Sequence, residues 1–174
     1  MDFNELIRTR RSVRKYKDIK IDDELLNEIV KAGLLAPTSK NLKSSEVIMI
    51  TDKETIKKLA MARINSQAFT ETAAAILVVI ADKEKTSAYI EDASNTAMLM
   101  LLEAENLGLG ACWIQLLGRT GINDLDSNQY VKEILNVPTN YDAVLMIDLG
   151  YKDVDQRAYT DSDINMERLH REGF

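Results

Sequence analysis

The stretch Ala75-Ile76-Leu77-Val78-Val79-Ile80-Ala81 is apolar at every position and rich in β-branched residues. A short unbroken apolar run of this kind is typical of a strand buried on both faces. It therefore predicts the central strand of a sheet. Three more apolar runs predict further strands, at residues 47–50, 111–116 and 144–149, the last of them closed by Gly150.

Helical patterns alternate with these strands. Five helices are predicted: residues 2–9, a segment from Asp22 as N-cap to a stop at Pro37, a segment from Thr51 or Asp52 to about Arg63, the longest helix from Thr86 or Ser87 to Leu107, and residues 130–135. Alternating strands and helices predict a sheet flanked by helices in three layers, of the α+β or the α/β class.

Length and composition indicate one domain over residues 1–174, because a chain of this size can bury a core without disulfides or metals. The net charge of −6 argues against a nucleic-acid groove, which needs an extended basic face. The apolar region 93–109 is flanked or interrupted by charged residues, so we expect a buried helix there and not a membrane span. A single cysteine and no signal-peptide pattern predict a cytoplasmic protein.

Cations are concentrated near the N-terminus, in Arg10-Arg11-Ser12-Val13-Arg14-Lys15-Tyr16. Arginine donates planar, bidentate hydrogen bonds and serine adds a neutral donor, a combination that suits a phosphate. Cations also gather at the C-terminal ends of helices, where they complement the helix dipole. The segment alone leaves both interpretations open.

Other motifs argue against side-chain catalysis. Gly108-Leu109-Gly110 follows a predicted helix and precedes a strand, the reverse of a dinucleotide fingerprint, so we expect Gly108 or Gly110 to end the helix. His170 is the only histidine and lies in a polar segment, which gives no support to a metal site or a Ser-His-Asp triad. If the chain is an enzyme, its chemistry is expected to come from a cofactor.

Five motifs in order, RRSVRKY (10–16), APTSKN (36–41), LGLGACWI (107–114) after a long Ala-rich helix, ILNVP (134–138) and LGY (149–151), span nearly the whole chain. In this order the chain resembles the nitroreductase family of FMN-dependent oxidoreductases. The resemblance implies an α+β fold with a central mixed or antiparallel sheet between helices, and an intertwined homodimer with FMN sites at its interface.

The resemblance also implies roles for residues. Arg14 would stabilise the reduced flavin at the ring edge, while the phosphate and ribityl chain would be held by Arg10, Arg11 and Ser12. Pro37, Thr38, Ser39 and Asn41 would reach the flavin from the other subunit. After Asn41 the family commonly continues Gln-Pro-Trp, whereas this chain has Leu42-Lys43-Ser44-Ser45.

Three later segments complete the implied site. Backbone groups of Ile114, Gln115 and Leu116 would contact the flavin near N5 and O4. Asn65 and Gln67 would approach the pyrimidine ring. Arg157, and with less support Lys152, would supply a late cation to the phosphate.

The implied activity is an NAD(P)H-dependent FMN oxidoreductase. The nicotinamide would deliver hydride to flavin N5 and leave, and a nitroaromatic, a quinone or a free flavin would then take the electrons in a ping-pong mechanism. The alternative is a non-catalytic flavin- or nucleotide-binding protein with the same fold. The sequence decides neither the acceptor nor the choice between NADH and NADPH, and the 119–128 loop carries no specificity signature.

Overall fold

The computed structural model describes residues 1–174 and contains one four-stranded antiparallel sheet. Its strands are β1 (Ser45–Ile50), β2 (Ala75–Asp82), β3 (Leu109–Gln115) and β4 (Tyr141–Tyr151), in the spatial order β1-β2-β4-β3. All eight residues of β2 are buried, as the unbroken apolar run predicts. The sheet is fully antiparallel, which confirms the α+β class and excludes the α/β alternative.

Six α-helices surround the sheet: α1 (Phe3–Thr9), α2 (Asp23–Leu34), α3 (Lys53–Ala60), α4 (Gln67–Thr70), α5 (Tyr89–Asn106) and α6 (Ser127–Leu135). Short 3₁₀ turns lie at Ser39–Asn41, Ile122–Asp124, Asp161–Asp163 and Met166–Arg168. No helix has both the length and the apolar character needed to cross a membrane.

Side-chain caps explain several helix starts. Asp2, Asp52 and Asp126 each accept a hydrogen bond from the backbone N–H three residues later, which satisfies a donor that the helix leaves free. Asp22 precedes α2 without such a bond. Gly108 ends α5 with φ of +79°, a conformation that costs glycine little.

Two apolar cores lie on opposite faces of the sheet, so the three-layer prediction is confirmed. On one face α2 and α5 pack on the sheet, with Ala93, Ala97 and Met100 completely buried. Gly33 makes this packing close, because a Cβ there would lie 2.5 Å from Met100 Cγ. On the other face, side chains of α3, α6 and the N-terminal segment form the second core.

The N-terminal segment after α1 runs along the outer edge of β3. Ser12 forms a parallel bridge with Ala111, and the Val13 N–H donates to the Ala111 carbonyl at 2.9 Å. The Tyr16 hydroxyl donates to the Val13 carbonyl at 2.7 Å. The segment is thereby fixed to the sheet, and its cations lie at the end of α1 and along this edge.

The structure differs from the predicted elements at one short helix and at two glycines. Helix α4 has no predicted counterpart, because its single turn is too short for a periodic pattern. Gly110 and Gly150 do not end elements but lie inside β3 and β4. Both are glycine because the N-terminal segment packs on them, with Cβ positions that would lie 2.7 Å from Val13 Cγ1 and 2.6 Å from Tyr16 Cδ1.

Candidate functional site at the edge of β3

A cleft of about 220 Å³ opens at the outer edge of β3, and we call it the edge cleft. Three parts of the chain line it: Arg14 from the N-terminal segment, Arg63, Asn65, Ser66 and Phe69 around α4, and Cys112, Trp113, Ile114 and Gln115 from β3. Small-molecule pockets usually measure about 300–1,000 Å³. The edge cleft of one chain is therefore smaller than a complete site for a cofactor-sized ligand.

Arg14 reaches this cleft because the residues on either side of the pair Arg14-Lys15 are buried. Val13 and Tyr16 are buried against Gly110 and Gly150, whereas Arg14 and Lys15 between them are exposed. The Arg14 guanidinium carbon lies 5.9 Å from the centre of the Phe69 ring, a weak cation–π geometry. Packing of its neighbours thus directs Arg14 into the cleft.

The edge cleft is electropositive. Arg14 has no carboxylate within salt-bridge distance, and neither has Arg10 at the end of α1. The lining contains Arg14 and Arg63 but no aspartate or glutamate. An unpaired cation beside an aromatic wall is suited to a planar ligand that carries or acquires negative charge.

Cys112 lines the cleft floor as a neutral thiol. Burial raises its pKa to about 11, and the opposing effect of Arg14 is too small to cancel this. A thiolate is the reactive form of cysteine. Cys112 is therefore not poised to act as a nucleophile.

The free backbone groups of β3 belong to alternate residues. The Leu116 N–H donates to the Val144 carbonyl at 3.1 Å, and Ile114 pairs with Met146 in the same register. Since every second residue of an antiparallel strand points to the same neighbour, Ile114 directs its backbone groups toward β4, whereas the Leu116 carbonyl accepts from the Arg119 N–H at 3.0 Å. The flavin contacts expected of these two residues remain predictions.

The backbone of Gln115 lies at the free edge of β3. Its backbone groups point away from β4. Its side chain accepts a hydrogen bond from Trp113 Nε1 at 3.1 Å and donates one to the Leu117 carbonyl at 3.3 Å. The buried Ile114 is part of the cleft lining. Leu116 follows the last residue of β3 and is completely buried.

Asn65 and Gln67, the two amide residues predicted to approach the pyrimidine ring, have different surroundings near α4. Asn65 lies in the cleft lining, whereas the Gln67 side chain donates to Glu71 at 2.9 Å and is absent from the lining. Arg63, which sequence reasoning missed, lies in the lining and donates to the Thr120 carbonyl at 3.0 Å. This contact connects the cleft to the 119–128 loop.

The late cations are engaged elsewhere in the chain. Arg157 forms a bidentate pair with Asp163 at 2.7 and 2.8 Å. Arg11 donates to the Arg157 carbonyl and stacks over Tyr159 at 4.3 Å, so it faces the C-terminal segment. Lys152 donates twice to the buried Glu105. Of the predicted phosphate ligands, the side chain of Arg10 and the hydroxyl of Ser12 have no hydrogen-bond or ion-pair partner, although the Ser12 carbonyl accepts from the Gln156 side chain.

The APTSKN loop lies apart from the edge cleft within one chain. Thr38 and Asn41 line a different cavity of about 460 Å³ that shares no lining residue with the edge cleft. Asp92 of α5, which sequence reasoning also missed, fixes this loop: its buried carboxylate accepts from the Ser39 N–H at 2.7 Å and from Ser44 Oγ at 2.6 Å. The Pro37 carbonyl accepts from Asn95.

Backbone geometry marks the same loop as strained. Lys40, Asn41 and Lys43 have φ values of 50°, 57° and 49°, in the left-handed region that residues other than glycine rarely adopt. Such strain persists only where the surrounding structure enforces it, and it is concentrated at functional sites. The bonds to Asp92 supply that enforcement.

Comparison with known proteins agrees with this architecture. The family model described as "Nitroreductase family" matches residues 7–67 and 61–151. A protein of Archaeoglobus fulgidus, provisionally named an NADH dehydrogenase/NAD(P)H nitroreductase, is 32% identical over 172 residues, covering 97% of this chain and 96% of the relative. The NADPH-flavin oxidoreductase of Vibrio harveyi is 31% identical, with 86% and 65% covered.

Solved structures give the same result. An FMN-dependent nitroreductase from Clostridium difficile R20291 superimposes with a TM-score of 0.95 at 40% identity, over 99% of this chain and 100% of that one. The family match spans the segment with Arg14, the α4 region and β3, which together form the edge cleft. The chain belongs to the nitroreductase family.

Proposed function

We propose that the protein is an FMN-dependent oxidoreductase that takes reducing equivalents from NAD(P)H, with the edge cleft as one side of its flavin site. The observation that carries the proposal is the unpaired Arg14 beside the free backbone edge at Gln115. The names of the C. difficile nitroreductase and the V. harveyi oxidoreductase, which specify FMN and NADPH-flavin chemistry, support it.

The residues present fit FMN chemically. A phosphate needs cations and hydroxyl donors, and Arg10 and Ser12 are free to supply them next to the cleft. A flavin ring needs a flat wall and polar groups at its edge, which Phe69, Asn65 and the Gln115 backbone offer. Arg11 and Arg157 would serve only if a ligand displaced their contacts with the C-terminal segment.

When bound, FMN supplies a ring that accepts hydride at N5 and returns electrons to a second substrate. The chain supplies position and charge. Arg14 stabilises negative charge that develops at the ring edge, and its effect is strengthened by the low dielectric of the buried floor beneath it. Phe69 and Ile114 exclude water from one side. No side chain of the cleft is required as a nucleophile or as a general base.

We further propose a homodimer in which the APTSKN loop completes the partner's cleft. Leu34 and Leu35 at the end of α2 are 58% and 82% exposed, and Met98 on α5 is 47% exposed. α1 buries no residue at all, and Phe3 on it is 66% exposed. Exposed apolar surface on this scale is typical of an interface. Thr38 and Asn41 line one cavity together with Leu34 and Leu35, so the segment that contains Pro37, Thr38, Ser39 and Asn41 lies beside this exposed helix end.

Steady-state kinetics test the activity. We expect turnover of NADH or NADPH with a quinone or a nitroaromatic, and parallel lines in double-reciprocal plots because both substrates would use one ring face in turn. Converging lines would contradict the ping-pong order while leaving the reductase activity intact. A protein that holds stoichiometric FMN without turnover would contradict the catalytic proposal and support the non-catalytic alternative.

Sedimentation tests the dimer separately. We expect a single species of twice the chain mass that carries one FMN per chain. A monomer that retains stoichiometric FMN would refute the proposal that the loop of a second chain completes the site.

A further inference from the structure

Asp148 is a buried carboxyl in the middle of β4 that the proposed chemistry does not use. The residue is completely buried between β2 and β3, opposite Ile76 on one side and Cys112 on the other. Its Oδ2 accepts a hydrogen bond from Thr70 Oγ1 at 2.7 Å, while Oδ1 has no partner. A buried polar atom without a partner is costly and calls for an explanation.

The single bond of this carboxyl reaches the wall of the edge cleft. Thr70 is the last residue of α4 and is itself completely buried. Phe69 and Ser66, which precede it, line the cleft, and the Thr70 N–H donates to the Ser66 carbonyl at 2.9 Å. This side-chain bond joins the last residue of the four-residue helix α4 directly to β4 of the sheet.

Burial favours the neutral form of this carboxyl. Desolvation raises the pKa of Asp148 to about 7, and the bond from Thr70 lowers it only in part. The titratable groups that face it are Tyr16 from the N-terminal segment and Cys112 from β3, and burial raises the pKa of both. Arg14 acts on these two groups, and no cation is hydrogen-bonded or ion-paired to Asp148. The facing side chains from α3, α6 and β2 are apolar.

We propose that Asp148 is a positioning residue whose neutral carboxyl holds α4 against the sheet through Thr70, so that loss of its proton loosens the Ser66–Phe69 wall and weakens FMN binding. Only the identity of the ligand rests on the proposed function. A carboxylate in this place would be a buried charge with no cation and with a single hydrogen bond, from Thr70, and movement of α4 would give it water. The released proton passes to solvent, and no other group of the cluster changes charge near neutral pH.

The first test measures FMN affinity as a function of pH. Holo-protein is diluted into buffers from about pH 6 to about pH 8.5, and released FMN is measured by fluorescence for wild type and Asp148→Asn. Both share the titration of FMN itself, so the ratio of their dissociation constants isolates Asp148. We expect wild type to weaken by about tenfold more than the variant over this range. A constant ratio would overturn the proposal.

Asp142→Asn is the matched control on the same strand. Asp142 is also buried, but it accepts hydrogen bonds from Asn128, Tyr89 and Lys83. Burial alone would raise the pKa of Asp142, yet these bonds together lower it. It stays ionised over the whole range, so its replacement shifts FMN affinity equally at every pH. A pH-dependent change like that of Asp148→Asn would contradict a specific role for Asp148.

The second test does not depend on the flavin. Hydrogen exchange of the Thr70 and Glu71 amides reports the opening of α4, since both donate within the helix. After correction for intrinsic rates, we expect wild-type protection to fall by about tenfold from pH 6 to pH 8.5 and Asp148→Asn protection to stay constant. Thr70→Val should lower protection at both pH values. Wild-type protection that does not change with pH overturns the inference even if the protein binds FMN. If α4 opens with rising pH but the protein does not bind FMN, only the proposed function is refuted.

Discussion

The substitution Gly150→Ala tests whether the packing of Tyr16 on β4 positions the N-terminal segment. A Cβ at residue 150 would lie 2.6–2.7 Å from the Cδ1, Cβ and Cγ atoms of Tyr16, far inside van der Waals contact. Tyr16 is only 8% exposed, and its Cβ and Cγ are among the clashing atoms, so a rotation of the ring alone cannot relieve the contact and the backbone must move. Overpacking of this kind costs about 1–3 kcal/mol. Loss of the bond from the Tyr16 hydroxyl to the Val13 carbonyl adds about 1 kcal/mol.

We therefore expect the free energy of unfolding to fall by about 2–4 kcal/mol. Arg14 lies between the displaced residues, so FMN affinity should fall by about tenfold or more, which corresponds to about 1.4 kcal/mol. Urea denaturation at fixed protein and FMN concentrations measures the first quantity, and fluorescence titration measures the second. Stability and affinity should fall together.

Gly108→Ala is the matched control. Its added Cβ meets nothing within 4 Å, and its cost of about 1 kcal/mol arises only from the positive φ of 79°. This variant should lose stability and keep its FMN affinity. If Gly150→Ala also bound FMN with wild-type affinity, the reasoning that the packing of Tyr16 on Gly150 positions Arg14 would be refuted.

Three further predictions concern the cleft and the interface. Arg14→Ala should weaken FMN binding by about tenfold to a hundredfold and slow flavin reduction, measured by stopped flow, while Lys15→Ala should change neither, because Lys15 pairs with the exposed Asp153. Leu35→Asp should shift the sedimentation equilibrium toward monomer and release FMN; a dimer of unchanged affinity would exclude this surface. Cys112 should react slowly with iodoacetamide at neutral pH, since burial raises its pKa to about 11, and fast alkylation of the native protein would contradict its buried, neutral state.

The fold was largely predictable from the sequence because its strands are short, dense apolar runs. The run at Ala75–Asp82 is buried at every residue, and the glycine after α5 ends the helix as expected. What escaped prediction depends on contacts distant in sequence. Gly110 and Gly150 read as ends of elements, yet they lie within strands because Val13 and Tyr16 pack on them.

The candidate site was predictable only in part, for the same reason. Arg14, Asn65, Ile114 and Gln115 lie together in one cleft, although the first and last are about a hundred positions apart in sequence. Which backbone amides are free depends on strand pairing, which the sequence does not reveal, so the sequence could not show that the Leu116 N–H is bonded to Val144. Phe69 escaped because the single turn of α4 has no periodic pattern.

The acidic residues Asp92 and Asp148 were missed because the sequence does not distinguish buried acids from solvated ones. Asp92 lies in the first turn of a helix that also carries exposed acids, and Asp148 interrupts the apolar run of residues 143–149 in β4. The second pattern is a usable signal: a single aspartate within a run of buried strand residues predicts a group held by a specific partner.

The central claim is that this chain binds FMN and reduces it with NAD(P)H. The most direct test is the visible absorption spectrum of the natively purified protein, recorded anaerobically before and after addition of NADH and, separately, of NADPH. We predict oxidised-flavin bands that bleach with at least one of the two donors. A colourless protein that takes up no added FMN would contradict the account, and flavin bands that persist with both donors would contradict its catalytic part.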